Sequence, residues 1–415
     1  MAQLSDDCFA FGGRLQSVDA ALAMIAGAVR CSAGCETVPL DQADGRVLAE
    51  DVVAALDLPP FANSAVDGYA VGLADLEGGD VLPVSGRLAA GMAAEEALRP
   101  GTARRIFTGA ALPPGADTVF MQEDVQLAPG GVRFPPGLRA GANTRPAGED
   151  IAAGARALPT GRRLRPQDVA LAAALGLAAL PVRRRVRVAL FSTGDELVNP
   201  GQRPGPAQRF DSNRALLAAL VCRAGAAVTD LGILRDQQAT IAAGLRTAAG
   251  GHDLILTSGG VSAGEEDHVR AALAAEGRLA FWRLAIKPGR PVAMGEVGGV
   301  PFLGLPGNPV AAFVTFARIA RPMLAALGGE TVAPVPALPV QAAFNYRKKA
   351  GRREYVRVRL EPGRDGAVLA HKHPVEGAGI LTSLTQTTGL AEIADDVTLV
   401  SIGDTVGYLG YDALY

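Results

Sequence analysis

The chain has 415 residues, with 40 Lys and Arg against 42 Asp and Glu and a formal net charge of −2. That length is too great for one ordinary core and predicts several domains, while the balanced charge argues against wholesale nucleic-acid binding. Hydrophobic residues at 49% and charged residues at 20% fit a globular protein, and 51 Gly and 28 Pro imply many tight turns and short strands.

At the N-terminus there is no basic-then-apolar leader and no Arg-rich transit peptide, and no apolar run reads as long enough to cross a bilayer. The expectation is a soluble cytoplasmic protein with no membrane or nucleic-acid partner. Val18, Leu22, Ile25 and Val29 fall on one face of a helix that Ser17 can cap. The four cysteines, Cys8, Cys31, Cys35 and Cys222, are too few and too irregular for a disulfide framework. A zinc site at Cys31 and Cys35 lacks paired ligands elsewhere. Pro39 to Asp51 suggests a short strand and another helix, which Leu58-Pro59-Pro60-Phe61 ends.

Asp67, in Asn63-Ser64-Ala65-Val66-Asp67-Gly68-Tyr69-Ala70, precedes a glycine and a strand-like run, where an aspartate ordinarily satisfies a turn. From Val81 to Phe134 short apolar runs alternate with Gly and Pro, as in a small β-rich unit. Thr108, before Gly109, either caps a turn or contacts a phosphate or a metal-bound water. Arg165-Pro166-Gln167-Asp168 starts an Ala/Leu-rich helix that ends near Gly176. The β-rich unit therefore reads as an insertion between two pieces of a helical stalk.

Arg183 to Arg187 are nearly all basic and read as a solvated strand edge. Val188-Ala189-Leu190-Phe191 begins a β/α alternation with a helix from about Ser212, a strand near Val228 to Leu231, a helix near Ile241, a strand from His252 to Thr257 and a late helix from Pro309. Such alternation indicates a parallel sheet with helices on both faces and ligands at the carboxyl ends of the strands. Three polar clusters lie at those ends: Ser192-Thr193-Gly194-Asp195-Glu196, Arg235-Asp236, and Thr257 to Asp267. In the last, Gly259, Gly260 and Gly264 let the backbone approach a ligand, and Ser258, Ser262 and the backbone N–H groups suit an anion. Glu265, Glu266 and Asp267 at the rim would repel a bare phosphate, so the ligand is expected to arrive with a divalent cation. The ordinary alternative is a Gly-rich turn before a capped helix, but the run is longer than a turn needs. Lys287-Pro288-Gly289-Arg290-Pro291 places two cations on a stiff turn. In Leu305-Pro306-Gly307-Asn308-Pro309, Asn308 suits an N-cap and Pro309 the first helical position, and the free N–H groups make an anion site. The tail from about Val335 shows strand alternation at Tyr355 to Arg359 and predicts a small β-barrel or sandwich, with His371 and His373 at its surface.

The ordered set Asn63 to Tyr69, Thr108-Gly109, Gly194 to Leu197, Asp211-Ser212-Asn213-Arg214, Thr257 to Asp267, Lys287 to Pro291 and Leu305 to Pro309 resembles the molybdopterin molybdenumtransferases. These are the molybdenum insertases of molybdenum-cofactor biosynthesis, the family of the gephyrin E domain. The resemblance covers nearly the whole chain. Val66 stands where methionine is usual and Arg290 where lysine is common, and the tail matches best at Arg352-Arg353-Glu354-Tyr355 and Leu381 to Leu384.

The resulting fold class is a multidomain α/β and β protein. A helical or extended stalk spans 1–57 and 146–183, and a β-rich domain is inserted at 58–145. A doubly wound, mostly parallel α/β domain of the molybdopterin-binding type covers 184–333, and a C-terminal β-barrel covers 334–415. The resemblance implies adenylylated molybdopterin and molybdate as substrates, Mg²⁺ as cofactor, and molybdenum cofactor and AMP as products. It also implies a homodimer whose cleft joins the insertion of one subunit to the sheet domain of the other, with contacts to an adenylyltransferase and to apo-molybdoenzymes. On this reading Asp236 and Asp267 hold Mg²⁺, while Glu196 orients or activates the oxygen nucleophile and Asp67 and Thr108 act from the separate module. Ser192, Thr193, Gly194, Ser258, Gly259, Gly260, Ser262, Gly264, Pro306, Gly307, Asn308 and Pro309 bind the phosphates. Lys287, Arg290, Arg352 and Ser383 hold the molybdate dianion. Two alternatives are the adenylyltransferase of the same pathway, which needs neither the Asp67/Thr108 module nor the tail, and a non-catalytic scaffold of the same fold.

Overall fold

A computed structural model describes residues 15–261, 268–332 and 335–415. Ser17 opens the first helix, Val18–Ala28, by accepting from the Ala20 N–H at 3.1 Å. The buried face of that helix, Val18, Ala21 and Ile25, packs into the core of the sheet domain. Cys35–Pro39 then pairs antiparallel with Ala179–Arg183. The further helix expected before Asp51 is a single turn, Leu40–Gln42, because Gly45 takes φ +72°, a conformation that ends a helical run. Val52–Val53 pairs with Arg156–Leu158, and Pro166–Ala174 starts where Asp168 accepts from the Arg165 N–H at 3.0 Å. Paired strands hold the stalk as much as helix does.

The insertion leaves and returns side by side: Leu58 bridges Ile151, and Asn63 and Ser64 pair with Arg145 and Thr144. Inside it, Gly68–Val71 lies between Ala103–Ile106 and Thr118–Met121, with Val84–Leu88 beyond. Tyr69, Phe120 and Phe134 pack edge to face beneath.

The sheet of the α/β domain runs, among the described residues, in the order Ala227–Leu234, Arg187–Thr193, Leu254–Ser258, Val300–Leu305, Pro291–Val297, Gly277–Arg283. Its first four strands are parallel and the remaining pairings antiparallel. Val188, Ala189, Leu190 and Phe191 are all buried because both faces are covered. Leu217, Val221, Val314 and Phe316 pack on one face, and Ile241, Leu245, Val269 and Leu273 on the other. The helical run Pro309–Leu327 has the length and composition of a bilayer span, which the sequence reading missed, but 78% of its apolar window is buried in the protein, as in a core helix. Arg184 and Arg187 are not simply solvated either, since both pair with Asp253, at 3.4 and 3.1 Å. Burial pushes that carboxyl up, and the bonds from Arg187 and Arg184 outweigh it and hold it below the usual carboxylate range.

In the tail, Arg353–Pro362, Val368–Lys372, Leu338–Ala342, Thr405–Gly410 and Gly389–Ile393 close on themselves through the pairing of the first with the last, a barrel rather than a sandwich. Ile286–Lys287 of the sheet domain joins it in parallel register, Lys287 opposite Glu354. His373 is buried, with Val375 O and Gln386 Oε1 at 3.0 Å from its two ring nitrogens, and His371 lies 3.3 Å from Glu361.

Candidate active site

Three strand ends stand abreast. The register places Ser192 beside Ser258 and Ser258 beside Leu305, so the loops that follow converge at one edge of the sheet. The loop after Ser258 is shaped by Gly259 and Gly260, at φ +88° and +64°. A Cβ on Gly259 would lie 2.8 Å from Thr193 O, and one on Gly260 2.4 Å from Val269 Cγ2 and 2.6 Å from Thr193 Oγ1. Both positions therefore demand glycine twice over, by conformation and by space. Gly194 is constrained by conformation, at φ +141°, since a Cβ there would meet only the movable end of the Glu196 side chain.

The loops are tied from the third side by the helix Ser212–Arg223. Asp211 caps it by accepting from the Arg214 N–H at 3.1 Å. Within the first turn, Asn213 Nδ2 donates to Ser258 Oγ and to Gly307 O, each at 2.9 Å. One amide thus holds two of the expected phosphate loops in register, and the Ser258 hydroxyl keeps its own proton to donate.

Thr193, Glu196, Arg209, Asp211, Asn213, Ser258, Gly259, Gly307 and Pro309 line the resulting cleft, which encloses ≈ 70 Å³, the scale of an anionic group rather than of a whole pterin. Glu196 sits at its mouth, paired with Arg209 at 3.0 Å. Ser192 Oγ, Thr193 Oγ1, Thr257 Oγ1 and Asn213 Oδ1 are buried without a hydrogen-bond partner. Four orphaned polar atoms around one cluster of strand ends fit a site built for a polar ligand. Not every predicted donor is available, however. The Gly259 N–H is engaged with Leu305 O at 3.1 Å, and the Val310 N–H, in the first turn after Pro309, with Ala378 O of the barrel at 3.0 Å. Asn308 occupies the N-cap position of Pro309–Thr315 but makes no side-chain cap bond.

The remaining candidates fall into three groups. Asp236, just past the end of Ala227–Leu234, donates its N–H to Asp195 Oδ1 at 3.3 Å, which brings two carboxylate-bearing loops together. Hard oxygen donors of this kind suit Mg²⁺, which needs only one or two carboxylates beside water and phosphate. Among the described residues no three Asp, Glu, His or Cys side chains converge as a metal cage, and Ser262, Gly264 and Asp267 lie outside the described residues. Lys287 and Arg352 meet at the seam between sheet and barrel, where both pair with Glu354, at 3.2 and 2.6 Å. Arg290 lies at the far end of a turn whose Gly289 would carry a Cβ 2.4 Å from Thr315 Cγ2, whereas Ser383 is fully buried with its hydroxyl donating to Ile380 O at 2.5 Å. Asp67 and Thr108 form the third group. The carboxylate accepts from the Thr108 N–H at 2.8 Å and from its hydroxyl at 2.9 Å, and the backbone bond first, then the hydroxyl, holds the Asp67 carboxyl below the usual range. No hydrogen bond or ion pair among the described residues joins the insertion to the sheet domain.

Sequence reasoning passed over Arg209, Asn213 and Glu354 as site residues. Asn213 carried a signal, its place in the first turn behind a capping aspartate. Glu354 carried only its place beside Arg352 in the tail motif, and Arg209 carried none, because the pairing of Leu197–Val198 with Arg209–Phe210 brings it to Glu196.

Residues 16–176 match the MoeA N-terminal region (domain I and II), residues 189–326 a probable molybdopterin-binding domain, and residues 339–410 the MoeA C-terminal region (domain IV). A molybdopterin molybdenumtransferase of Haemophilus influenzae is 36% identical over 89% of this chain and 92% of its own length. Molybdopterin molybdenumtransferase 2 of Mycobacterium tuberculosis is 40% identical over 88% and 93%. The crystal structure of a molybdopterin biosynthesis MoeA protein from Pyrococcus horikoshii superposes with a TM-score of 0.83 at 30% identity, covering 96% of this chain and 100% of that one. With three consecutive regions matched in order and relatives at 36% and 40% identity aligned over about nine-tenths of each chain, the chain belongs to the molybdopterin molybdenumtransferase family.

Proposed function

We propose that this protein is a molybdenum insertase, which cleaves adenylylated molybdopterin in a Mg²⁺-dependent reaction and places molybdate in the dithiolene to give molybdenum cofactor and AMP. The observation that carries the reading is the cleft at the carboxyl ends of the strands, where Asn213 locks the Ser258 and Gly307 loops together beside unpartnered buried hydroxyls. The Ser192, Thr193 and Ser258 hydroxyls bind the phosphoryl oxygens, and Gly194, Gly259 and Gly260 let the backbone come close. Asp236, with Asp267, would hold Mg²⁺, which when bound neutralises phosphate charge. Glu196, fixed by Arg209, orients the oxygen nucleophile and accepts its proton as the phosphoanhydride bond breaks and AMP departs. Lys287, Arg290 and Arg352 face the molybdate dianion.

The separation of Asp67 and Thr108 from the cleft supports a homodimer in which the insertion of one subunit completes the site of the other. The same reading includes contacts with the adenylyltransferase that supplies the substrate and with the apo-molybdoenzymes that take the product, in the cytoplasm.

The test is AMP release from adenylylated molybdopterin with Mg²⁺, with and without molybdate, coupled to reconstitution of an apo-molybdoenzyme. Molybdate-dependent release with reconstitution is expected. ATP-dependent adenylylation of free molybdopterin would instead identify an adenylyltransferase, and tight binding without products a scaffold. Mixing Asp67→Ala with Glu196→Ala subunits, each inactive alone, should restore roughly a quarter of the parental rate, since half the dimers then hold one intact site of two. No recovery on subunit exchange would overturn the shared cleft.

A further inference from the structure

Lys287 and Arg352 come from different domains, and one carboxylate holds both. Glu354 is 1% exposed, with Oε2 3.2 Å from Lys287 Nζ and Oε1 2.6 Å from Arg352 Nε. Tyr346 closes the arrangement, accepting from Lys287 Nζ at 3.0 Å and donating to Glu354 Oε2 at 2.5 Å, while the Lys287 ammonium lies 5.4 Å from the centre of its ring. The Lys287 bond is fixed by backbone register, because Ile286–Lys287 adds to Arg353–Pro362 with Lys287 directly opposite Glu354, and Arg352 reaches the same carboxylate from two residues away on its own segment.

A buried acid is costly unless paired, and a single cation would have sufficed to pair it. Two cations on one carboxylate leave a surplus positive charge at a partly open site, since the side chains of Lys287 and Arg352 are 46% and 33% exposed. Such a surplus suits an incoming dianion. We propose that Glu354 is a positioning residue for oxyanion binding: it fixes Lys287 and Arg352 side by side across the domain seam, with their remaining N–H groups turned outward to a tetrahedral dianion, and Tyr346 sets the Lys287 end. The proposal rests on the insertase reading in that the dianion is molybdate.

The experiment is direct titration of the full-length protein with molybdate by calorimetry, which requires no pterin substrate, with thermal melting of every variant alongside. Glu354→Gln should weaken molybdate binding about tenfold, because Lys287 and Arg352 each use a different carboxylate oxygen and the amide has only one acceptor to offer, leaving one cation unheld. Tyr346→Phe, which alters no charge and serves if Glu354→Gln fails to fold, should weaken it about threefold through loss of the hydroxyl's bonds to Lys287 and to the Glu354 oxygen that holds it. The effects of Glu354→Gln and Arg352→Ala should be less than additive, because the first already releases the second. His371→Ala, on the same barrel, should leave binding unchanged. A parental protein with no molybdate affinity would remove the oxyanion reading and the proposal with it. Parental binding matched or exceeded by Glu354→Gln or Tyr346→Phe would overturn the positioning role alone, since the carboxylate would then be only a counterion of the resting protein.

Discussion

The two ends of the central sheet differ in the opposite way from what their volumes suggest. At the amino ends of Leu254–Ser258 and Val300–Leu305 lies a cavity of ≈ 600 Å³, lined by Met24, Val29, Leu279, Met294 and Val300, with His252, Asp253 and Glu296 at its edge. At the carboxyl ends the cleft encloses ≈ 70 Å³. Yet the bridging amide of Asn213, the unpartnered buried hydroxyls of Ser192, Thr193 and Thr257, and the positive-φ turn of Gly259 and Gly260 gather at the smaller one, whereas the crowded glycine at the larger, Gly295, sits in regular strand pairing. Strand polarity, which decides where loops can converge, outweighs empty space as a guide to chemistry.

Four substitutions would break or sharpen that contrast, in descending order of effect on turnover. Gly259→Ala puts a Cβ against Thr193 O and should lower AMP release about 100-fold, as a displaced binding loop does; a rate within threefold of the parent would mean that the cleft does not hold the reacting phosphates. Asn213→Ala leaves Ser258 and Gly307 without their shared donor, and should raise KM about tenfold while costing about 1–3 kcal/mol in denaturant unfolding. Met294→Ala, at the large cavity, should do the reverse, costing about 2–3 kcal/mol of stability with kcat unchanged per folded molecule; a comparable loss of kcat would make the large cavity functional. Asp253→Asn, at the same end, should affect stability alone and only over part of the pH range. The folded Asp253 carboxyl lies below its ordinary value of 3.8, so its contribution is fully present above that pH and is lost as pH falls through the lower folded value. The melting difference between parent and variant should accordingly be present at pH 7 and vanish in acid.

What was legible in the sequence follows the range of the forces involved. The helix from Ser212, the strand ending at Ser258 and the strand-end clusters were readable because a cap, an apolar run and a glycine pair each act within a few residues. The helix expected between Pro39 and Asp51 failed on a similarly local cause, Gly45, whose φ of +72° no periodicity announces. The pairing of Arg184 and Arg187 with Asp253, and of Lys287 with Glu354, was not legible at all, since each depends on parallel strands brought together from distant parts of the chain. A charged residue next to a strand shows its sign in the sequence but not its partner.

The insertion departs at Leu58 and returns at Ile151 on paired antiparallel segments, so its two ends lie within hydrogen-bonding distance of each other. That makes it a cassette. A tight turn could replace the whole of it without moving the stalk, and two such cassettes from related chains could be exchanged with their cores intact. In the proposed homodimer, a chain lacking it would keep its own phosphate cleft and need a complete neighbour to work, so a mixed pair would carry one working site of two. On that reading, activity would fall only in proportion to the share of cassette-less chains while every chain still folded, a combination that a destabilising mutation in the sheet core would not produce.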